Sequence, residues 1–268
     1  MRVAVIDLYD NEPNQGMRCI QELLADAGRY LGKDVEFEIF ETRYKNEIPD
    51  LSFDAYISSG GPGSPFDGLN KPWEATYFRW LDHLWNANQQ GAGKHVLFIC
   101  HSFQMMTRFF EVGQVTRRKS ESFGIFPVHT TEAGAQDPLF SGLEDPFYAA
   151  DFRHWQVIQP DHSRLSELGG SILAIEKKRP RVKLERALMG IRISPELVGV
   201  QFHPEADPAG MALHFREPAR QAALIEKLGV EKFDRILHRL EHPDFITRTY
   251  HAVIPNFLRG VPVPALVG

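Results

Sequence analysis

The sequence predicts an α/β fold: an open, mostly parallel twisted sheet flanked by helices, with an antiparallel extension. Three observations lead there. The first half alternates apolar, β-rich runs with helical patterns, the signature of a sheet built from βαβ units. Beyond residue 112 the pattern changes to short strand-like pieces separated by turns. From about residue 209 the chain is mostly helical.

In chain order, "RVAVID" reads as a first strand, residues 14 to 31 as a helix, "VEFEIFET" as a second strand, and "FDAYISSGG" as a third ending in a glycine-rich turn. "PWEATYFRWLDHLWNANQQ" is a helix, "HVLFIC" a fourth strand, and "FQMMTRFF" opens another helix. The pieces "GIFPVHTT", "PFYAADFRHWQV", "SILAIEKK", "ALMGIRI" and "LVGVQFHPEAD" form the extension. In the tail, "QAALIEKLG" and "EKFDRILHRLE" are the clear periodic segments. This divides the chain into a main domain over 1–208 and a mostly helical extension over 209–268 that packs on it.

A chain of 268 residues can bury a substantial core, and 43% hydrophobic with 24% charged residues are ordinary globular values. No apolar run is long enough for a membrane span, and the apolar start of "MRVAVIDLYDNEPNQG" is too short for a secretory signal, so the expected location is the cytoplasm. A net charge of −5 gives no general attraction to nucleic acid. The basic clusters "RRK" at 117–119 and "KKRPR" at 177–181 read as solvated faces or loop ends. Cys19 and Cys100 read as free thiols of a reducing compartment. His95, His129, His154, His242 and His251 show no metal-ligand spacing, and no metal or cofactor is implied.

In open parallel sheets, ligands sit beyond the carboxyl ends of the strands. Three loops fall there: residues 8–18, residues 59–68, and the turn at Cys100. In "KHVLFICHSFQMMTRFF", Cys100 is either a nucleophile on a strand-to-helix elbow, with the next amide aimed at a developing oxyanion, or a packed thiol at a strand end. In "QFHPE", an extended backbone would project His203 and Glu205 from one face, so that the carboxylate orients the imidazole for proton exchange with a thiol. Alone, this histidine is better read as a capped loop residue. The loop "ISSGGPGSP" could form an anion nest or merely turn the chain. "NQGMRC" could line the pocket or only cap a helix.

Taken together, the "YISSGGPGSP" loop, the cysteine elbow, "DPLFSGLEDPF" and "GVQFHPE" resemble the class I glutamine amidotransferases over residues 1–208, closest to GMP synthase glutaminase domains. The resemblance implies a flavodoxin-like core and a Cys-His-Glu amidohydrolase. Cys100 is then the nucleophile, His203 the general base and acid, and Glu205 the orienting carboxylate. Gly61 and the His101 amide would form the oxyanion hole, while Gly60, Gly63, Gln104, His154 and Trp155 would bind substrate. The substrate would be glutamine or a γ-glutamyl compound. A separate synthase would be the possible ammonia acceptor, with neither nucleic acid nor membrane as partner. A stand-alone γ-glutamyl hydrolase, an acyl transferase of the homoserine transsuccinylase kind, and a non-catalytic binding or regulatory protein are the alternatives.

The chain departs from the family pattern in two places. The elbow usually reads G-x-C-x-G-x-Q, whereas this one reads "FICHSFQ". Phe98 therefore demands a compensating space, and Ser102 is the milder change. "HW" at 154–155 stands where the family often has H-G, placing a large side chain near the expected α-end of the substrate. The tail "EHPDFITRTYHAVIPNF" lies beyond the family's usual end, as a clamp across the body or a partner surface.

Overall fold

A computed structural model describes residues 1–12, 14–179 and 183–262. In chain order the elements are β1 (Arg2–Asp7), α1 (Gln15–Ala25), α2 (Ala27–Leu31), β2 (Glu36–Glu41), α3 (Thr42–Lys45), β3 (Ala55–Ser58), α4 (Pro72–Gln89), β4 (His95–Ile99) and α5 (His101–Phe110). There follow β5 (Gln114–Thr130), α6 (Glu132–Gln136), a 3-10 turn at Pro138–Phe140, β6 (Phe147–Ile158), α7 (His162–Leu168), β7 (Ser171–Glu176), β8 (Leu188–Arg192) and β9 (Leu197–Val200). The tail forms α8 (Pro208–Arg216), α9 (Pro218–Leu228), α10 (Val230–Glu241) and α11 (Ile246–Arg259). No helix among the described residues is long and apolar enough to cross a membrane.

Among the described residues nine strands form one sheet in the order β2-β1-β3-β4-β9-β8-β7-β5-β6. The first five are parallel, and the remaining pairings are antiparallel. The parallel part has the flavodoxin-like order, with β9 as its fifth strand. Its central strands are apolar on both faces because helices cover both. Side chains alternate between two cores: Val3, Val5, Leu97, Ile99, Val198 and Val200 join the face covered by α1 and α11. Ala4, Ile6, Val96, Phe98 and Leu197 join the face covered by α4 and α5. Each fully buried Val, Leu or Ile contributes about 1.5–3 kcal/mol relative to exposure. The edge strand β2, "EFEIFE", instead carries charges on alternate positions, which disfavours pairing with another chain.

Several boundaries differ from the sequence reading. The helix predicted over 14–31 is two helices, broken at Asp26, with α2 ending on Gly32 at φ 65°. The piece "GIFPVHTT" is only the end of the long strand β5, which pairs with β6 through an irregularity between Arg117 and Ser122. The "RRK" cluster therefore lies within a strand rather than on a loop end. Arg118 has a buried side chain, 2.9 Å from Glu176 and 2.8 Å from the Gln156 amide oxygen. Charges closing this network include Arg153, whose side chain lies 2.7 Å from Asp151. In the second cluster Arg179 pairs with Glu176, while Pro180 and Arg181 lie outside the described residues.

The tail packs on the body. Helices α8 and α10 bury Met211, Phe215, Phe233, Ile236 and Leu240 against Ile125 and Ala150. Helix α11 places Val253, Ile254, Phe257 and Leu258 in the core beside Phe140, Phe147 and Ala149. Thr249 donates to the Tyr148 carbonyl at 2.6 Å, and the Asn256 amide to that of Ser141 at 2.9 Å.

The space Phe98 demands is found on the neighbouring strand. Phe98 is fully buried and lies opposite Gly199 in the β4–β9 register. A Cβ on Gly199 would sit 2.8 Å from the Phe103 ring and 3.2 Å from Met106. The close approach of strand to helix α5 is therefore made at Gly199, beside Phe98. Gly199→Ala is expected to destabilise the fold by about 1–3 kcal/mol through overpacking, read as a lower urea midpoint with unchanged m-value. An unchanged midpoint would show that Phe103 and Met106 give way freely.

Candidate active site

The parallel strands put the loops after β1, β3, β4 and β9 on one side of the sheet. Cys100, directly after β4, has φ 49° and ψ −94°. A cysteine pays about 1–3 kcal/mol for such a backbone, which persists only where its surroundings over-determine it. Here they do. The Cys100 amide donates to the Val200 carbonyl at 2.8 Å, and the Cys100 carbonyl accepts from the Gln104 amide at 3.1 Å. The buried Ser102 hydroxyl accepts from the Ile99 amide at 2.8 Å and donates to the Ser58 carbonyl at 2.7 Å. Ser102, the departure from glycine, therefore ties the elbow to the end of β3. His101 opens α5, so its amide is among the helix's N-terminal donors without an intrahelical partner.

The expectation of an extended Gln201–Glu205 segment is corrected. Strand β9 ends at Val200, the chain bends through 201–202, and 204–205 form a turn. Pro204 has no amide hydrogen with which to continue a ladder. His203 is held by a lone antiparallel bridge to Ala150 of β6, its amide donating to the Ala150 carbonyl at 2.9 Å. The two side chains nevertheless meet, His203 Nδ1 lying 2.7 Å from Glu205 Oε1. Burial pushes the imidazole toward its neutral form, but charge and hydrogen-bond interactions with Glu205 and Cys100 overcome this and hold its pKa well above 6.5.

The glycine loop after β3 lies against both. A Cβ on Gly60 would be 3.0 Å from His203 Cε1, and one on Gly61 would be 2.5 Å from the Leu8 carbonyl and 3.4 Å from the His101 ring. Alanine at either position would displace the site. Gly63 has φ 81° and turns the loop away toward Asp67. Arg43 secures this loop, donating to the Pro62 carbonyl at 2.7 Å with Asp10 and Asp67 at 3.6 and 3.7 Å.

Other predicted binding residues are not brought to the site's opening. Gln104 is buried, its amide donating to Gln201 Oε1 at 3.1 Å. His154 points away because β6 alternates: Arg153 is buried, whereas the His154 side chain is 61% exposed and lies 3.6 Å from Glu121. Trp155 packs on Phe66 of the glycine loop, ring centroids 5.3 Å apart. Sequence reasoning missed Gln201, whose amide donates to the Cys100 sulfur at 3.7 Å. It also missed Tyr9. A methyl on Gly16 would clash with the Tyr9 hydroxyl and lie 3.2 Å from Glu205 Oε1. "NQGMRC" serves both readings, since Asn14 caps α1 by accepting from the Met17 amide while Asn14, Gln15 and Gly16 face the cavity.

That cavity, about 390 Å³, is lined by Gly61, His203 and Glu205 together with residues of α8 and α9. Glu205 Oε2 and His101 Nε2 are buried without hydrogen-bond partners among the described residues. Such unsatisfied groups are uncommon in native structures, and Trp80 Nε1 and Thr116 Oγ1, which do not line the cavity, are likewise without partners among the described residues.

Burial lowers the His101 pKa to about 3, so its ring is neutral at ordinary pH. Between the ordinary value of 6.5 and about 3 the unfolded chain binds a proton here that the folded chain refuses. This contribution to stability is therefore complete above 6.5 and lost as pH falls, by up to about 1.4 kcal/mol per pH unit. Urea unfolding at pH 7 and pH 4.5 is expected to show a larger acid loss for the native chain than for His101→Leu. Equal losses would remove the buried neutral histidine from the account.

A family profile described as Glutamine amidotransferase class-I matches residues 16–217. No curated protein matches the chain. Among solved structures, a glutamine amidotransferase from Thermotoga maritima is 18% identical with a TM-score of 0.69, the match covering 98% of each chain. A glutamine amido transferase from Methylobacillus flagellatus is 14% identical with a TM-score of 0.64, covering 100% of this chain and 98% of that one. A putative GMP synthase subunit from Thermoplasma acidophilum is 16% identical, TM-score 0.52, covering 77% of this chain and 85% of that one. These likenesses are of fold, and the first two run on through the C-terminal helices. An elbow cysteine beside a histidine–glutamate pair, on a sheet of this order, accords with the profile match: the chain belongs to the class I glutamine amidotransferase family.

Proposed function

We propose that the protein is a glutaminase-type hydrolase that cleaves a γ-glutamyl amide through a thioester on Cys100. The observation that carries this reading is the β4–β9 pairing, which sets the strained Cys100 turn beside the hydrogen-bonded His203 and Glu205. The Cys100 sulfur gives its proton to His203 and attacks the side-chain carbonyl carbon. The oxyanion is held by N–H groups of Gly61 and His101. The C–N bond then breaks, and His203 returns the proton to the departing nitrogen, leaving a γ-glutamyl thioester. Water, giving a proton to His203, attacks this thioester; glutamate leaves and the thiol is restored. Glu205 holds the imidazole in orientation and stabilises its cation. Gln201 and Gln104 form a buried amide chain that supports the sulfur from behind.

Glutamine as substrate, with ammonia passed to a synthase partner, is favoured by the family and by the likeness in fold to a putative GMP synthase component. A stand-alone hydrolase of γ-glutamyl peptides or amides is favoured by one specific observation: helices α8 and α9 of the same chain wall the cavity onto which His203 opens.

Glutamate release from L-glutamine and γ-glutamyl peptides tests the shared chemistry. Cys100→Ala is expected to abolish release, and His203→Gln to lower kcat by about 10²–10⁴. Trapping with 6-diazo-5-oxo-norleucine is expected to label Cys100. Release that survives Cys100→Ala, or labelling at Cys19 instead, refutes the mechanism.

A further inference from the structure

The acid that protonates a leaving nitrogen must touch it, so in the reaction proposed above the leaving group departs on the side where His203 is reached. His203 forms part of the wall of the cavity. If glutamine were the substrate, the leaving group would be ammonia, a group of water's size that needs about 10–15 Å³ of such cavity volume. The cavity beside His203 holds about 390 Å³, an order of magnitude more.

Its lining is mixed: Glu12, Asn14, Gln15 and His214 are polar, whereas the surface next to the imidazole is aromatic. Three rings wall it next to the imidazole. Phe152 lies with its centroid 6.1 Å from that of His203, Phe123 is 4.8 Å from Phe152, and Phe215 is 6.0 Å from Phe123 in a stacked arrangement. Met211 and Leu224 extend the apolar surface, and Arg220 supplies a cationic side chain that remains about half exposed. Ammonia, being small and neutral, covers little of such a surface and leaves most of it exposed to water. An aromatic group gains both area burial and ring–ring contacts. Phe123 and Phe152 come from the hairpin β5–β6, and the remaining residues from α8 and α9, so elements distant in the chain converge on this one face.

We propose that this cavity receives the leaving amine of the substrate and that the amine bears an aromatic substituent. The substrate is then a γ-glutamyl amide of an aromatic amine or of an aromatic amino acid. The proposal rests on the amide-hydrolase reading and narrows it. Arg220 distinguishes the two sources, since only an amino acid brings a carboxylate for it to meet.

The test uses the full chain with four probes: L-glutamine, γ-L-glutamylglycine, γ-L-glutamyl-L-phenylalanine and γ-L-glutamylbenzylamide. At least one aromatic probe is expected to exceed both others in kcat/KM by tenfold or more. Preference for the phenylalanine probe assigns an aromatic amino acid, and preference for the benzylamide a free aromatic amine. Phe215 is part of the core and Phe215→Ala risks unfolding, so Leu224→Trp, at a half-buried position on α9, is the second variant. By filling the cavity it is expected to lower the ratio of aromatic to glycine kcat/KM at least fivefold, chiefly through KM. Cys100-dependent release that is as fast from glutamine or γ-glutamylglycine as from the aromatic probes overturns this proposal and leaves the hydrolase standing. So does an unchanged ratio in Leu224→Trp. No Cys100-dependent release from any probe overturns the hydrolase reading and this proposal with it.

Discussion

The hydrogen bond from the Cys100 amide to the Val200 carbonyl is the constraint on which the rest of the site depends. It is the last rung of the parallel pairing between β4 and β9. On one side of that rung the chain must turn through a positive φ into α5. On the other it must bend toward Ala150 and deliver His203. A cysteine in this conformation is unfavourable alone, and Ser102, bonded to both Ile99 and Ser58, helps to offset the cost. The strain is local, and the means of holding it are spread over three strands.

Much of this could be read from the residues because local chemistry dictates it. Apolar runs of β-branched residues separated by amphipathic stretches force a parallel sheet, and the elbow cysteine and the H-P-E sequence mark the ends of adjacent strands. What could not be read depends on which strands become neighbours. The space for Phe98 lies at Gly199, opposite it across a register that no local pattern reveals. Arg118 reads as a solvated charge because its acceptors, Gln156 and Glu176, come from strands far along the chain. His154 takes a binding role by resemblance, whereas the alternation of β6 turns it outward once Arg153 is fixed inside.

The buried charges of the antiparallel extension follow a different logic from the apolar core. Arg118, Arg153, Asp151 and Glu176 join β5, β6 and β7, and Ser122 donates to Asp151 at 2.6 Å. Desolvation of such groups largely cancels their attraction, so the network adds little net stability. Its worth is in register. These charges flank the irregularity between Arg117 and Ser122, just beyond which Phe123 pairs with Phe152, the ring beside His203.

The position of β9 in the sheet has a consequence in time. Among the described residues it is the last strand in sequence, yet it lies at the middle of the nine, between β4 and β8. During synthesis β1 to β4 emerge first and have one another to pair with, but the acceptor for the Cys100 amide is not yet made. Contacts between residues so distant are also the slow ones to form. The strained turn at Cys100 therefore gains its Val200 partner only once β9 has been made, on the same stretch of chain that carries His203.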